Sequence, residues 1–444
     1  MRKTGIRNGT HIESDLSRRQ GSGQFHDSTG TAVQNILELM LANYHGPVAI
    51  KLWNGQTVVG SSASCCTLIF RHPAPLRELV LHKDLVRLAE AYIVGELDVE
   101  GDIETLFDLV EYLIQHMPHW PARLRLVHHA LHLPYDDIIE SSNRIRATAE
   151  ERRNSLASIA FHYDIGNEFY SLWLDPEMVY SCAYFKNTDQ SLADAQHDKL
   201  DYICRKLRLS PGQTLLDIGC GWGALVIWAA RHYGVNAHGI TLSQQQYSRA
   251  VERVQNEGLD NRVRIELKDY RSLIQNEQYD RVVSVGMFEH IGITNFQAYF
   301  DIIKKILKPG GLFLNHSITN DTGWQINPLT RFINRYVFPD GELARISDMT
   351  NAMEKAGFEI LDVEGLRQHY NLTLCRWIQA LETHRNQAVN IVGEATYRVW
   401  QLYMAGAAYY FNEGSMGLYQ VLAGHNRQPL PVPLRREDLY RVTM

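Results

Sequence analysis

An excess of charge of either sign is the first thing this chain lacks. Its 44 Lys and Arg stand against 50 Asp and Glu, a net charge of −6 over 444 residues. General nucleic-acid binding leaves a basic excess, so that class is disfavoured, although a local basic patch is compatible with the count. Cysteine is scarce and unpatterned: Cys65, Cys66, Cys182, Cys204, Cys220 and Cys375 include no C-x-x-C pair. The adjacent Cys65 and Cys66 make a poor metal or disulfide frame. Reduced thiols in a cytosolic protein are the simplest expectation. No apolar run reaches the ~18 residues that a membrane span requires. The N-terminus carries charge with no apolar stretch behind it, so no signal peptide is expected. Any lipid contact must then come from a protein that visits a membrane surface. No internal repeat is found.

What the chain does have is length and core material. With 444 residues and 45% apolar content, two domains are expected. The chain is organised around residues 214–246. Leu215-Leu216-Asp217-Ile218 reads as a buried strand, and Gly219-Cys220-Gly221-Trp222-Gly223 as a tight turn. Ala224 to Tyr233 reads as a helix stopped by Gly234, and Val235 to Leu242 as a second strand. Strand, glycine turn, helix and strand form a βαβ crossover, which requires a parallel sheet. The glycines let a ligand approach the backbone, and the new helix aims unpaired N–H groups at it. This turn alone fits NAD, FAD or S-adenosylmethionine. Two details favour the last. The spacing is shorter than the dinucleotide G-x-G-x-x-G, and the second strand ends in Thr241-Leu242-Ser243 where a dinucleotide binder carries an acid for the ribose.

Taken in order, residues 1–30 read as a disordered polar tail. Residues 31–117 read as a small α+β domain. It has a helix at Val33–Tyr44, a hairpin across Asn54-Gly55, strand-like material at Cys66–Phe70 and Leu79–Leu81, and helices at Asp84–Ile93 and Ile103–His116. Residues 118–160 read as a helical linker. Within it Pro121–Leu133 carries Arg123, Arg125, His128, His129 and His132 among leucines. Such a helix rests on anionic headgroups or, at least as well, serves as a plain connector with a wet face. Residues 161–444 read as a doubly wound α/β sheet, with strands at Val263–Leu267, Asp280–Val285, Gly311–His316 and Glu359–Val363 and a turn at Lys308–Gly311. The insertion Thr319–Met349 has few helix or strand cues and reads as a substrate cover. The aromatic-rich stretch Leu372–Leu422 reads as helical, either plain core or the lining of an acyl tunnel.

Four segments fall where this fold puts residues beside a ligand: Tyr180–Tyr184, Gly286–Gly292, Asn315–Ile318 and His369–Asn371. The ordered runs YSCAYF, LLDIGCGWG, VGMFEH and KPGG-x-F-x-x-H-x-I resemble cyclopropane-fatty-acyl-phospholipid synthase and the related mycolic-acid cyclopropane synthases, over roughly residues 160–420. The first 117 residues fit the extra N-terminal domain of the bacterial phospholipid enzymes more vaguely. The resemblance implies a class I methyltransferase fold with a helical substrate cover. It implies S-adenosylmethionine as donor, and an unsaturated phospholipid acyl chain at the membrane surface as acceptor. Methyl transfer to the cis double bond leaves a carbocation, and removal of a proton from the new methyl closes the ring in a site kept dry.

By the same resemblance a bound bicarbonate is the base, cradled by Cys182, Glu289, His316, Ile318 and Tyr370. Backbone N–H groups of Cys182 and Ile318, the Tyr370 hydroxyl and a His316 N–H would donate, while Glu289 would accept the bicarbonate proton. Cys182 is not expected to be a covalent nucleophile. The cofactor residues implied are Tyr180, Ser181, Leu215, Asp217, Gly219, Cys220, Gly221, Trp222, Gly223, Thr241, Leu242, Ser243, Gln246, Tyr270 and Arg271. No metal is expected, since Glu289 and His290 as strand neighbours would face opposite ways. A cytoplasmic homodimer at the inner membrane surface is implied. Two other readings stay open: a fatty-acyl methyltransferase that stops before ring closure, and a non-catalytic lipid binder, for which a broken glycine turn or a missing cradle residue would be the sign.

Overall fold

In the computed structural model the described residues are 27–61, 63–116, 122–134, 165–273, 277–339 and 341–440. The chain divides into two compact units near residue 144, and the first also takes Val389–Arg398.

The first unit is built on a four-stranded sheet of order β2-β1-β3-β4, with β1 (Val48–Lys51), β2 (Thr57–Val59), β3 (Cys66–Phe70) and β4 (Leu97–Gly101). The hairpin forms across Asn54-Gly55, where Gly55 takes a φ of 84°. Three corrections belong here. The first helix is Asp27–Leu41, so residues 27–30 are not tail. Leu79–Leu81 lie in the helix Ala74–His82, because Leu76, Leu79 and Val80 return at helical spacing to the core and Pro75 suits a first turn. Strand β4 was not anticipated. The helix Ala122–Leu131 belongs to this unit: Leu126 and Ala130 are buried, and Arg77 donates to the Leu133 carbonyl at 2.8 Å. The charged run 144–153, the segment 161–164 and most of the expected linker and tail lie outside the described residues.

The second unit holds the seven-stranded sheet, order β10-β11-β9-β8-β5-β6-β7. Its strands are β5 (Thr214–Ile218), β6 (Asn236–Thr241), β7 (Val263–Leu267), β8 (Tyr279–Val285), β9 (Leu307–Asn320), β10 (Phe358–Gly365) and β11 (Met416–His425). From β7 to β9 the pairing is parallel, and β11 runs antiparallel to both neighbours. The crossover helix Ala224–Tyr233 stops at Gly234, in a left-handed conformation at φ 65°. The helices Leu192–Lys206, Gln244–Asn256 and Phe296–Ile306 cover the sheet, giving the expected doubly wound arrangement. This is the arrangement that the resemblance implies.

The structure departs from the sequence reading at four places. Lys308–Gly311 is not a free turn but the irregular start of β9, where the register against β8 shifts and Gly310 takes φ 73°. The insertion 319–349 carries the helix Pro328–Tyr336, opened by a capping box at Asn327 and Thr330, and the start of the helix Ile346–Lys355. The C-terminal stretch is not helical to Leu422: its long helix ends at Glu413 before Gly414 (φ 98°), and β11 follows. A central strand buried on both faces loses the period-two alternation that marks a strand, so β11 passes for helix in sequence. Glu289 and His290 sit in a single 3₁₀ turn, Phe288–His290, and not in a strand.

Gly239 lies on β6 directly behind the glycine turn. A Cβ there would meet Cys220 Sγ at 2.8 Å and Ile265 Cδ1 at 3.1 Å. Gly239→Ala should therefore lower stability by about 1–3 kcal/mol, read as a lower urea midpoint with unchanged slope. An unshifted midpoint would contradict this packing.

Candidate active site

β5 delivers the chain into a turn in which Gly219, Gly221 and Gly223 take φ of 84°, 56° and 84°. A side chain is costly in that region. A Cβ on Gly219 would also press on Met287 Cβ at 3.0 Å, while one on Gly221 would point into open space. The N–H groups of Gly219 and Cys220 both donate to the Ile240 carbonyl, which ties the turn to β6. The open space is a cleft of about 580 Å³ at the carboxyl ends of β5, β6 and β8. Tyr180, Ser181, Asp217, Gly219, Cys220, Gly221, Trp222, Thr241, Leu242, Ser243, Gln246, Tyr270 and Arg271 all line it. Two expected residues do not. Leu215 is wholly buried in the sheet core, and Gly223 sits behind the turn as the N-cap of the helix Ala224–Tyr233.

Around the cleft, Thr241 Oγ1 donates to Gln246 Oε1 at 2.7 Å, and Ser243 caps the helix Gln244–Asn256. Asp269 holds the Arg271 guanidinium at 2.6 Å, which keeps Arg271 on the exposed rim. Tyr270 packs edge-on against Tyr299. On the floor, burial pushes the Asp217 carboxyl up to about 7, with Lys199 pulling the other way. Asp217 Oδ1 has no hydrogen-bond partner among the described residues.

Residues 175–182 form a strap along one wall. Asp175, itself buried, accepts from the N–H groups of Glu177 (3.0 Å) and Val179 (2.9 Å) and so bends Met178 to a φ of 56°. Arg253 pairs with Glu177 and donates to the Trp222 carbonyl at 3.0 Å, which pins the strap to the glycine turn. Gln196 Nε2 donates to the Val179 and Ser181 carbonyls, and Lys199 Nζ to Ser181 Oγ at 2.8 Å.

The five residues implied for an anion cradle do not line the cleft itself. Hydrogen bonds and one strand pairing connect four of them. The Ile318 N–H donates to Glu289 Oε1 at 2.6 Å. Ile318 faces Leu418 across the β9–β11 ladder, and the Leu418 carbonyl accepts from the Leu366 N–H at 2.7 Å. The Leu366 carbonyl in turn accepts from the Tyr370 N–H at 3.2 Å and faces Cys182 Sγ at 4.0 Å. His316, the fifth, sits two residues before Ile318 on the same face of β9. Burial pushes the Cys182 thiol far up, so it is no thiolate nucleophile.

The charge states follow from burial. His316 is 1% exposed, which drives its pKa well below the ordinary value and leaves it neutral. Gln420 Nε2 donates to its Nδ1 at 3.1 Å, so the ring proton resides on Nε2. Among the described residues that Nε2 is buried without a partner, and so is Glu289 Oε2. One orphaned donor and one orphaned acceptor fit an anion that also carries a hydroxyl, as bicarbonate does. Burial pushes the Glu289 carboxyl up to about 7, against the pull of the Ile318 N–H.

The expected cover does reach the cleft. Pro339 and Glu342 line it, Glu342 accepts from the Ile293 N–H at 2.7 Å, and Phe338 packs edge-on to His290 and Tyr403. Of the C-terminal aromatics, Trp377, Trp400 and Tyr403 pack with Phe169, Tyr170, Trp173 and Tyr180 as dense core. Sequence reasoning missed Asp175, Lys199, Arg253 and Gln420. Only Asp175-Pro176 carried a local turn signal; the others act across long sequence separations.

Residues 150–421 match the family model "Mycolic acid cyclopropane synthetase", and residues 36–115 match "Domain of unknown function (DUF7884)". A probable fatty acid methyltransferase of Pseudomonas putida is 39% identical, over 90% of this chain and 98% of its own length. The cyclopropane-fatty-acyl-phospholipid synthase of Escherichia coli K12 is 41% identical, over 59% of this chain and 66% of its own. The solved structure of mycolic acid cyclopropane synthase CmaA1 complexed with SAH and CTAB superposes with a TM-score of 0.58. It is 34% identical and covers 62% of this chain and 99% of that one.

A raised carboxyl pKa means that the folded state binds a proton the unfolded state has released. Stability from this group therefore falls as pH rises from the ordinary glutamate range through about 7. Glu289→Gln keeps an acceptor for Ile318 and removes the charge. It should be more stable than wild type at about pH 8, by up to roughly 3 kcal/mol, with the gap closing near about pH 4. Denaturant titrations at both pH values check this, and a gap independent of pH would contradict it.

Proposed function

The chain belongs to the mycolic acid cyclopropane synthetase family, and on that footing we propose that it builds a cyclopropane on a membrane phospholipid. In this reading it transfers a methylene group from S-adenosylmethionine to the cis double bond of an unsaturated fatty acyl chain, with bicarbonate bound as general base. When bound, S-adenosylmethionine supplies an electrophilic methyl on a sulfonium, and bicarbonate supplies the oxygen that takes the departing proton.

The chain's own residues do the rest. Gly221 leaves the backbone open beside the amino-acid end of the donor, and Asp217 Oδ1 offers an acceptor for its ammonium. Thr241, Ser243 and Gln246 offer hydroxyl and amide groups where the ribose would lie, and Tyr270 with Arg271 flanks the adenine. The Nε2–H of His316, the N–H groups of Ile318 and Cys182, and the Tyr370 hydroxyl hold the anion. Glu289 orients it by accepting its proton. The Ile318 N–H, which now donates to Glu289, would be one of the donors available to that anion. A carboxylate there also lowers the energy of positive charge developing on the acyl chain. The packed aromatic residues behind Tyr180 keep water from that charge.

The observation that carries the reading is a pair of buried atoms unpartnered among the described residues: Glu289 Oε2, on the carboxyl that accepts from the Ile318 N–H, and Nε2 of His316, two residues before Ile318 on β9. A second reading, a methyltransferase giving a branched or methylene product, is favoured by the name of the full-length relative from Pseudomonas putida. The complete cradle argues for ring closure. We place the enzyme, as a homodimer, at the cytoplasmic surface of the inner membrane. Among the described residues no helix is long and apolar enough to cross a membrane. Support for a surface contact comes from the helix Ala122–Leu131, where Leu124 and Leu131 stand exposed beside Arg123 and Arg125.

Expression in a host lacking such lipids, followed by mass spectrometry of its acyl chains, tests the reaction. A one-carbon gain as a ring supports the first reading, the same gain as a branch or methylene the second, and unaltered chains overturn both. Gln420→Leu removes the donor that fixes the His316 tautomer. It should lower turnover about tenfold to a hundredfold while S-adenosylhomocysteine affinity stays within about twofold, by calorimetry. Equal loss of both would count against the cradle.

A further inference from the structure

Lys199 is a buried cation that the reaction scheme leaves without a task. It stands on the helix Leu192–Lys206, is 2% exposed, and lines the cleft. Burial pulls its pKa down to about 8, against the attraction of Asp175 and Asp217. At neutral pH it is an ammonium, a group that only donates hydrogen bonds. Its bond to Ser181 Oγ at 2.8 Å therefore makes that oxygen an acceptor on the helix side. That bond leaves the Ser181 hydroxyl its own proton to donate, and both residues line the cleft. Gln196 Nε2 holds the Ser181 carbonyl at 2.8 Å and so fixes the backbone there.

We infer that Lys199 is a positioning residue for the donor's amino-acid end: it holds Ser181 so that the Ser181 hydroxyl donates to the carboxylate of that end. Asp217, with its partnerless Oδ1, supplies the complementary acceptor. A donor backed by an ammonium and an acceptor on the same floor match the two charges of an α-amino acid. The inference rests on the S-adenosylmethionine reading and adds to it the reason a lysine is buried there. A lysine that merely balanced Asp175 and Asp217 would serve folding without regard to which ligand is bound.

Calorimetric titration of the full chain separates the two. The ligands are S-adenosylhomocysteine, which has the amino-acid end, and 5′-methylthioadenosine, which keeps the nucleoside and thioether but lacks it. Lys199→Met should bind S-adenosylhomocysteine at least about tenfold more weakly while 5′-methylthioadenosine affinity changes less than about twofold. Ser181→Ala should show the same selectivity, and the double variant no further loss. Should Lys199→Met fail to fold, Lys199→Gln, uncharged and polar, should show the same selective loss. Equal weakening of both ligands, or additive losses in the double variant, overturns the inference. Failure of the wild type to bind S-adenosylhomocysteine overturns instead the cofactor reading beneath it.

Discussion

The bond from the Ile318 N–H to the Glu289 carboxylate, 2.6 Å long, joins the two halves of the site. Glu289 comes from the turn after β8, beside the cleft, and Ile318 from near the end of β9. Through Ile318 the carboxylate is coupled to the β9–β11 ladder, to Leu366, and so to Cys182 and Tyr370. Burial favours the neutral carboxyl and the N–H favours the anion, and the opposition leaves the group near neutrality. A carboxyl so balanced can hold or release a proton without a large change in free energy, which suits a residue asked to orient a proton-bearing anion.

The cleft shows the same economy of opposed effects. Asp217 is pushed up and Lys199 down by burial, and each restrains the other. The strap 175–182 is fixed by side chains from separate elements: Asp175 within it, Gln196 and Lys199 from one helix, Arg253 from another. A left-handed Met178 is tolerable only because Asp175 over-determines the bend. Precision at Tyr180 and Ser181 thus comes from Asp175 within the strap together with Gln196, Lys199 and Arg253 on the helices that cover the sheet.

What could be read in the sequence was local. The unit from Thr214 to Thr241 was legible because a glycine turn, a helix stop at Gly234 and two apolar runs each signal themselves over a few residues. The parallel sheet followed from that unit. Leu79–Leu81 was misread because three apolar residues fit either period when taken alone. The helix Pro328–Tyr336 was missed although its Asn-Pro-x-Thr opening stands in the sequence. β11 alternates only from Met416 to Gln420 and is then buried on both faces through Gly424. Gln420 was invisible for the same reason, and Lys199 because its partners Ser181 and Asp217 meet it only in the folded sheet.

The order β10-β11-β9 has a bearing on how this molecule assembles. β9 and β10 are both synthesised before β11, yet they do not touch each other as neighbours in the finished sheet. Until β11 arrives, each presents a bare edge, and the slot between them must stay unfilled. The pairing of β11 with β9 joins residues about a hundred positions apart, a slow and entropically demanding closure. His316 has no Gln420, and Leu366 no Leu418 carbonyl, until that wedge is in place. Chemical competence therefore comes with the last strand to dock, and a partly translated chain has an exposed sheet but no working centre.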